Sequence, residues 1–209
     1  MEDIKTAVVT GCHPFDVQAF HKLFRRMRGV DAYIQHMEEF ATTPRKVREQ
    51  YDVVLFYNMH RSVSDATTRT AIEELGETEQ GIVVLHHGLI AFRDWGLWSE
   101  IVGIRDRSST PLPDQRVRLQ IADARHPITV GINSWEMIDE VYTAGEPDPG
   151  SRVLIRTDHR RSMESIAWVR NYKASRVFCF QSGHDEAAYS NVSFREVLAR
   201  GIRWCARVL

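Results

Sequence analysis

Short runs of Val, Ile and Leu alternate with amphipathic segments through the first half of this 209-residue chain. Short apolar strands separated by helical patterns are typical of βαβ units, in which helices cover both faces of a mostly parallel sheet. The sequence therefore predicts a doubly wound α/β domain. Its predicted strands are Ile4–Thr10, Ala32–His36, Val53–Tyr57 and Gly81–Leu85.

Beyond Gly103 the helical patterns fade, and short strands follow one another with turns between them. This pattern predicts extra, partly antiparallel strands in the second half. Ser193, with Glu196 three residues later, has the form of a capping box and predicts the start of a final helix. No linker or internal repeat interrupts the chain, so we expect one domain over residues 1–209. The additional predicted strands are Val117–Ile121, Met137–Thr143, Val153–Arg156, Ile166–Arg170 and Arg176–Gln181.

Charge and apolar content exclude several classes of partner. The 27 basic and 28 acidic side chains nearly cancel, so no global field favours nucleic acid or an anionic membrane. The longest apolar runs are too short to span a bilayer, and the start of the chain lacks a signal-peptide pattern. Three widely spaced cysteines do not form a disulfide framework. We expect a cytoplasmic protein whose partner is a small molecule.

Five of the nine histidines lie at or just beyond the carboxyl ends of predicted strands. Ligands of doubly wound sheets bind at this edge. Imidazoles beside carboxylates can carry general acid–base chemistry near neutral pH. The predicted catalytic residues are His86, His184, Asp139 and Glu140, and the predicted substrate-binding residues are His13, His60, His87 and Trp95.

The same side chains could instead hold a divalent metal such as zinc, with His13, His86 and His184 as ligands. No short chelating motif such as HExxH decides between this interpretation and metal-free acid–base chemistry. No nucleotide cofactor is expected, since the sequence lacks GxxxxGK[ST] and GxGxxG motifs. Cys12 beside His13 is a weak nucleophile candidate, because sequence neighbours rarely share hydrogen-bond geometry.

Structural roles are predicted for the other residues of these types, including Trp98. Cys179 lies within a predicted strand and Cys205 on the apolar face of the final helix, so both are expected to be buried. Trp98 is expected to pack its helix on the sheet. His126 is predicted to be a turn residue with a packing role. His21, His36 and His159 are predicted to be structural or solvated.

An ordered set of short motifs along nearly the whole chain resembles the trehalose-utilisation (ThuA-like) family, which has the class I glutamine-amidotransferase-like fold. The motifs are Thr10-Gly11 with His13, Tyr51–Val54, Gly81–His86, His126–Thr129 with Gly131-Ile132, Asp139–Tyr142, Ala167–Arg170, Arg176–Phe178, Gly183-His184 with Tyr189, Asn191 and Phe194, and Arg200–Trp204. The resemblance implies a flavodoxin-like three-layer sandwich, a role in disaccharide or keto-sugar metabolism, and a homodimer.

One turn separates this chain from the glutaminases of that fold. Glutaminases place a cysteine nucleophile in a Cys-x-Gly turn after a central strand, whereas this chain has His86-His87-Gly88 there. Thioester chemistry on glutamine is therefore excluded. Two functions remain: a sugar-active isomerase, lyase or hydrolase, and a non-catalytic module that binds a sugar or other small ligand.

Overall fold

The computed structural model describes residues 2–63 and 65–209, and over these residues it has nine strands in one sheet and seven α-helices. No helix among them is long and apolar enough to cross a membrane. The strands are β1 (Ile4–Gly11), β2 (Val30–His36), β3 (Val53–Asn58), β4 (Gly81–Leu85), β5 (Pro111–Ile121), β6 (Trp135–Tyr142), β7 (Arg152–Arg156), β8 (Ser165–Tyr172) and β9 (Ser175–Phe180). The helices are α1 (Val17–Arg25), α2 (Met37–Thr42), α3 (Arg45–Arg48), α4 (Ala66–Glu73), α5 (Gly96–Val102), α6 (Glu186–Ser190) and α7 (Val192–Cys205).

The strand order is β2-β1-β3-β4-β9-β8-β7-β5-β6. The first five strands in this order are parallel, whereas β9 pairs antiparallel with β8 and every later pair is antiparallel. This arrangement confirms the predicted α/β sheet with an antiparallel second half. The only large difference in strand length is β5, which begins at Pro111 and not at the predicted Val117.

Alternate side chains of the central strands enter two cores, one on each face of the sheet. In β3, Leu55 faces a core that includes Phe20 of α1, and Phe56 faces a core that includes Trp98 of α5. Burying an aromatic or aliphatic side chain of this size contributes about 1.5–3 kcal/mol. Trp98 is fully buried, as predicted, and its indole N–H donates to the Gly88 carbonyl at 3.0 Å. The parallel half is therefore a three-layer sandwich.

Three helix starts differ from the sequence predictions. The six-residue helix α2 was not predicted, and its N-cap is His36. The sequence Thr43-Pro44 has the pattern of an N-cap followed by a first helical residue, but Pro44 itself holds the N-cap position of α3. Helix α7 begins at Val192 and not at the predicted Ser193 box, because the Asn191 side chain accepts the Phe194 N–H at 3.0 Å.

The β5–β6 hairpin folds back over the carboxyl edge of the parallel strands. Strand β5 pairs with β7 only through Gln120 and Ile121, while most of its length pairs with β6. Strand β6 is last in the hydrogen-bonding order, yet the Tyr142 hydroxyl donates to the His86 carbonyl just beyond β4 at 2.8 Å. The hairpin thereby brings its acidic residues to the edge where the histidines lie.

Candidate functional site

The structure places the five strand-end histidines in two groups. Ring contacts join four of them: the centroids of His13 and His87 are 4.4 Å apart, those of His86 and His184 5.3 Å, and those of His13 and His184 5.8 Å. The fifth, His60, contacts His36 and Glu38 instead. The sequence predicts that the five histidines could converge on one rim. The structure divides them between two clusters, four in the first and His60 in the second.

His86, Glu140 and His184 form the core of the first cluster. His86 Nε2 lies 3.3 Å from Glu140 Oε1, and His184 Nε2 lies 3.8 Å from Glu140 Oε2. One ligand atom from each residue lies within 4.8 Å of the other two. Two imidazole nitrogens and a carboxylate oxygen are a donor set that suits zinc and similar divalent ions. Among the described residues this is the group that could hold a metal as it stands, and Glu140 takes the place predicted for His13.

Both imidazoles of this group are oriented by their other ring nitrogen. His86 Nδ1 donates to the Gln181 carbonyl at 2.7 Å, and His184 Nδ1 lies 3.4 Å from the Asp185 carboxylate. Because those oxygens accept, Nδ1 carries a proton in each ring, and Nε2 is the nitrogen that faces Glu140. His86 Nε2 is buried without a hydrogen-bond partner. Metal-ligating histidines are held in this way in most known sites.

The backbone around His86 is constrained. His86 has φ +51°, in the left-handed region, directly after β4. Non-glycine residues in this region carry strain and often mark functional turns. Gly88 is required two residues later, since a Cβ there would lie 2.6 Å from the Phe56 carbonyl oxygen. The His-His-Gly sequence therefore forms a tight turn that points the His86 ring across the edge of the sheet.

Asp139 holds the backbone that carries His184. This carboxylate is 2% exposed and accepts the N–H groups of Gly183 at 2.8 Å, of His184 at 3.0 Å and of Glu140 at 2.9 Å. Burial raises the pKa of Asp139 above its ordinary value, although His86 and these N–H groups oppose the change. The structure thus gives Asp139 a positioning contact, whereas the sequence predicted a catalytic one.

Two tyrosines hold the same segment from its carbonyl side. The hydroxyl groups of Tyr57 and Tyr189 lie 3.0 and 2.9 Å from the His184 carbonyl oxygen and 2.6 Å from each other. Burial raises the pKa of both phenols, so both stay protonated and can donate. Neither tyrosine was predicted to have a role in the site. The position of Tyr57 at a predicted strand end was the available signal.

The pKa shifts divide the cluster in two: those of His86 and Glu140 favour the charged forms, and those of His13 and His87 favour the neutral ring. Burial lowers the pKa of His86, but the nearby Glu140 carboxylate, 3.3 Å from its Nε2, and the Asp139 charge outweigh burial and raise it. Burial raises the pKa of Glu140, but His86 outweighs it and lowers it. Burial and the neighbouring His184 and His86 lower the pKa of His13, and burial holds the pKa of His87 well below its ordinary value.

His13 and His87 lie beside the His86–Glu140–His184 group. His87 Nε2 donates to the Tyr57 carbonyl at 3.3 Å, and its ring stacks on that of His13. His13 Nδ1 is buried and has no hydrogen-bond partner. This nitrogen therefore has no protein partner within the described residues.

Trp95 lies elsewhere. Its ring contacts Phe92 and the Arg69 guanidinium, and within the described residues it makes no ring contact with a histidine. The turn that follows Gly88 carries it away from the first cluster. Cys12 is exposed, while Cys179 and Cys205 are buried as predicted.

Solved structures share this fold at low sequence identity. A ThuA-like protein from Parabacteroides merdae has a TM-score of 0.80 and 19% identity, covering 98% of this chain and 90% of that one. A cytoplasmic protein from Salmonella typhimurium has a TM-score of 0.70 and 10% identity, covering 95% and 98%. A candidate GMP synthase component from Thermoplasma acidophilum has a TM-score of 0.60 and 9% identity, covering 99% and 96%. These similarities confirm the amidotransferase-like α/β fold.

Comparison of the sequence with protein families identifies the family of this chain. No curated protein matches it. The sequence profile of the ThuA family, described as trehalose utilisation, matches residues 5–205. This match spans nearly the whole chain, and the chain therefore belongs to the ThuA family.

Proposed function

We propose that this chain is an enzyme of carbohydrate metabolism that moves a proton on a keto-sugar, assisted by a divalent metal held by His86, Glu140 and His184. Membership of a family described as trehalose utilisation supports the substrate class. One observation carries the chemistry: His86 and His184 both commit Nδ1 to a fixed oxygen and turn Nε2 toward the same carboxylate.

The residues present fit a metal on two counts. His86 Nε2 is buried without a hydrogen-bond partner, which a metal bond would satisfy. A donor set of two imidazole nitrogens and one carboxylate would leave room for substrate or water, as in catalytic zinc sites. When bound, a divalent ion would polarise the ketone oxygen and make the adjacent C–H group more acidic.

His13 is the group that would accept the proton. Its Nδ1 is unpartnered, and its ring meets that of His184 edge-on. The C–H bond next to the ketone breaks, the proton passes to His13, the C–H electron pair forms a C=C bond, and the carbonyl π pair moves onto the ketone oxygen. Isomerisation follows when His13 returns the proton to the former carbonyl carbon, the adjacent hydroxyl passes its proton to the ketone oxygen, and a C=O bond forms at the neighbouring carbon. Elimination follows when the C=O bond re-forms at the ketone, the C=C bond shifts to the next carbon, and the oxygen substituent leaves that carbon with the proton from His13.

Stacking on His87 would hold the His13 ring in place for this step. His87 is itself anchored through its Nε2–H to the Tyr57 carbonyl. The residue at the turn after β4 is His86, and no cysteine is present there to form a thioester. Glutaminase chemistry is therefore not proposed.

Exchange of substrate hydrogen with D₂O tests the proposal directly. The zinc-loaded protein is incubated with a panel of ketoses and keto-disaccharides in D₂O, and ¹H NMR follows loss of the signal next to the ketone. We expect exchange with the wild type and with His21→Gln, an exposed control. His13→Gln is expected to keep its zinc and lose exchange by at least about 100-fold, the low end of a positioned acid–base group.

Two results would count against this function. Exchange that is undiminished in His13→Gln would remove the proposed base. Ligand-induced thermal stabilisation with no exchange and no product for any sugar of the panel would favour the non-catalytic binding module instead.

A further inference from the structure

A second group of polar side chains lies at the same edge, beyond the ends of β1, β2 and β3, and is not used by the proposed reaction. His60 Nε2 lies 3.6 Å from Glu38 Oε1, and His36 Nδ1 contacts the other oxygen of the same carboxylate. The ring centroids of His36 and His60 are 6.0 Å apart. Two imidazoles thus approach one carboxylate from opposite sides.

Gly11 allows this approach. It has φ +138°, and a Cβ at this position would lie 2.6 Å from His60 Cε1 and 2.8 Å from His36 Nε2. Both rings therefore pack against the bare backbone at the end of β1. A side chain at residue 11 would separate them.

His60 has an unsatisfied nitrogen that points into the group. Its side chain is 9% exposed, and Nε2 is buried without a hydrogen-bond partner. The neighbouring Asn58 amide nitrogen lies 3.3 Å from His60 Nδ1, while Asn58 Oδ1 is also buried without a partner. Two orphaned polar atoms in one small group require an explanation, since buried polar groups are rarely left unpaired.

A half-turn of the Asn58 amide and a bound cation would give Asn58 Oδ1 and His60 Nε2 one partner each, while the amide nitrogen takes the buried position that Oδ1 leaves. The oxygen and nitrogen of an asparagine amide are interchangeable in position by a half-turn. With the Asn58 amide turned, Oδ1 accepts the proton of His60 Nδ1, and the Nε2 lone pair becomes free to bind a cation. The Asn58–His60 pair then has the arrangement that orients metal-ligating histidines.

From this geometry we propose that His36, Glu38 and His60 form a second binding site for a divalent transition-metal ion such as Zn²⁺, separate from the His86–Glu140–His184 group. His60 and Glu38 are already adjacent. The His36 side chain is 49% exposed and its Nδ1 already contacts Glu38, so a turn of the ring would bring a nitrogen onto an ion held by that carboxylate. Imidazole nitrogen and carboxylate oxygen are the ligands that zinc prefers after thiolate.

Zinc stoichiometry of the full chain tests the second site. Protein is stripped with a chelator, equilibrated with Zn²⁺ by dialysis, and analysed for bound metal, with circular dichroism as the check on folding. We expect two equivalents in the wild type and in His21→Gln, and one in His60→Gln. His36→Gln changes an exposed side chain and tests the same site if His60→Gln fails to fold; we expect it to weaken one of the two sites at least about tenfold.

The variants separate this inference from the proposed function. His86→Gln removes the first site, so the remaining equivalent should be lost only when His60→Gln is added. A wild type that binds one zinc, retained in both His36→Gln and His60→Gln, would overturn the second site and leave a hydrogen-bonded His–Glu–His chain. One zinc that is lost in His60→Gln but kept in His86→Gln would support the second site and overturn the metal of the proposed function.

Discussion

Asp139 is the single residue on which the placement of His184 most directly depends. Asp139→Asn replaces an accepting oxygen with an NH₂ group that faces the N–H of Gly183 or His184. We expect zinc affinity at the first cluster to fall about 10–100-fold, the usual effect of losing an outer-sphere partner. Stability should fall by about 1–3 kcal/mol, because a buried N–H loses its acceptor.

Competition with a chromophoric chelator measures the affinity, and urea unfolding measures the stability. Tyr57→Phe is a graded comparison: the Tyr189 hydroxyl still reaches the His184 carbonyl, so a smaller loss is expected. An Asp139→Asn protein with wild-type zinc affinity would mean that the tyrosines alone hold His184.

For single residues, the sequence predicts the candidate ligands better than it predicts the residues that position them. His86 and His184 could be found because a strand end predicts an edge position, and Glu140 because an acidic pair interrupts an apolar strand. Asp139, the other member of that pair, could not be told apart from Glu140. Its partners are backbone N–H groups 44 and 45 residues away, and backbone atoms leave no trace in the sequence.

Among the elements, α7 offers a matched test of where a helix begins. The Asn191 side chain accepts the Phe194 N–H, so Asn191→Ala should destabilise the protein by about 1 kcal/mol. Ser193 lies inside the first turn and caps nothing, so Ser193→Ala should change the free energy of unfolding by less than about 0.5 kcal/mol. Urea unfolding of both variants under the same conditions makes the comparison. Equal losses would favour the Ser193 capping box.

Elements could be predicted where the pattern of apolar residues decides them locally. The parallel strands are continuous apolar runs, and their alternation with helices determines the sheet. Helix α2 is only six residues long, and the Thr43-Pro44 pair that follows it is a stronger local signal. The return of β6 over the sheet edge could not be predicted, since a strand pattern indicates which face is buried but not the partner that covers it.

For the molecule as a whole, buried histidines link folding to pH. Burial lowers the pKa of His60, His87 and His126, each less than one-tenth exposed. In the unfolded chain these groups return to about 6.5. Below that pH the unfolded state binds more protons than the folded state, so stability falls as pH decreases. His86 and Asp139, whose pKa values are raised, contribute with the opposite sign.

The contribution of one histidine to this pH dependence can be measured at His126, because this residue lies away from both candidate metal sites. Its Nδ1 accepts the Ile128 N–H at 3.2 Å, and its ring packs on Trp204. An asparagine oxygen can accept the same N–H but does not titrate. In chelator-treated protein, His126→Asn should therefore lose less stability than the wild type between pH 7 and pH 5, by up to about 1 kcal/mol. Urea unfolding at both pH values, with His21→Asn as the exposed control, gives the two slopes. Parallel slopes for His126→Asn and wild type would show that His126 takes up its proton equally in the folded and unfolded states.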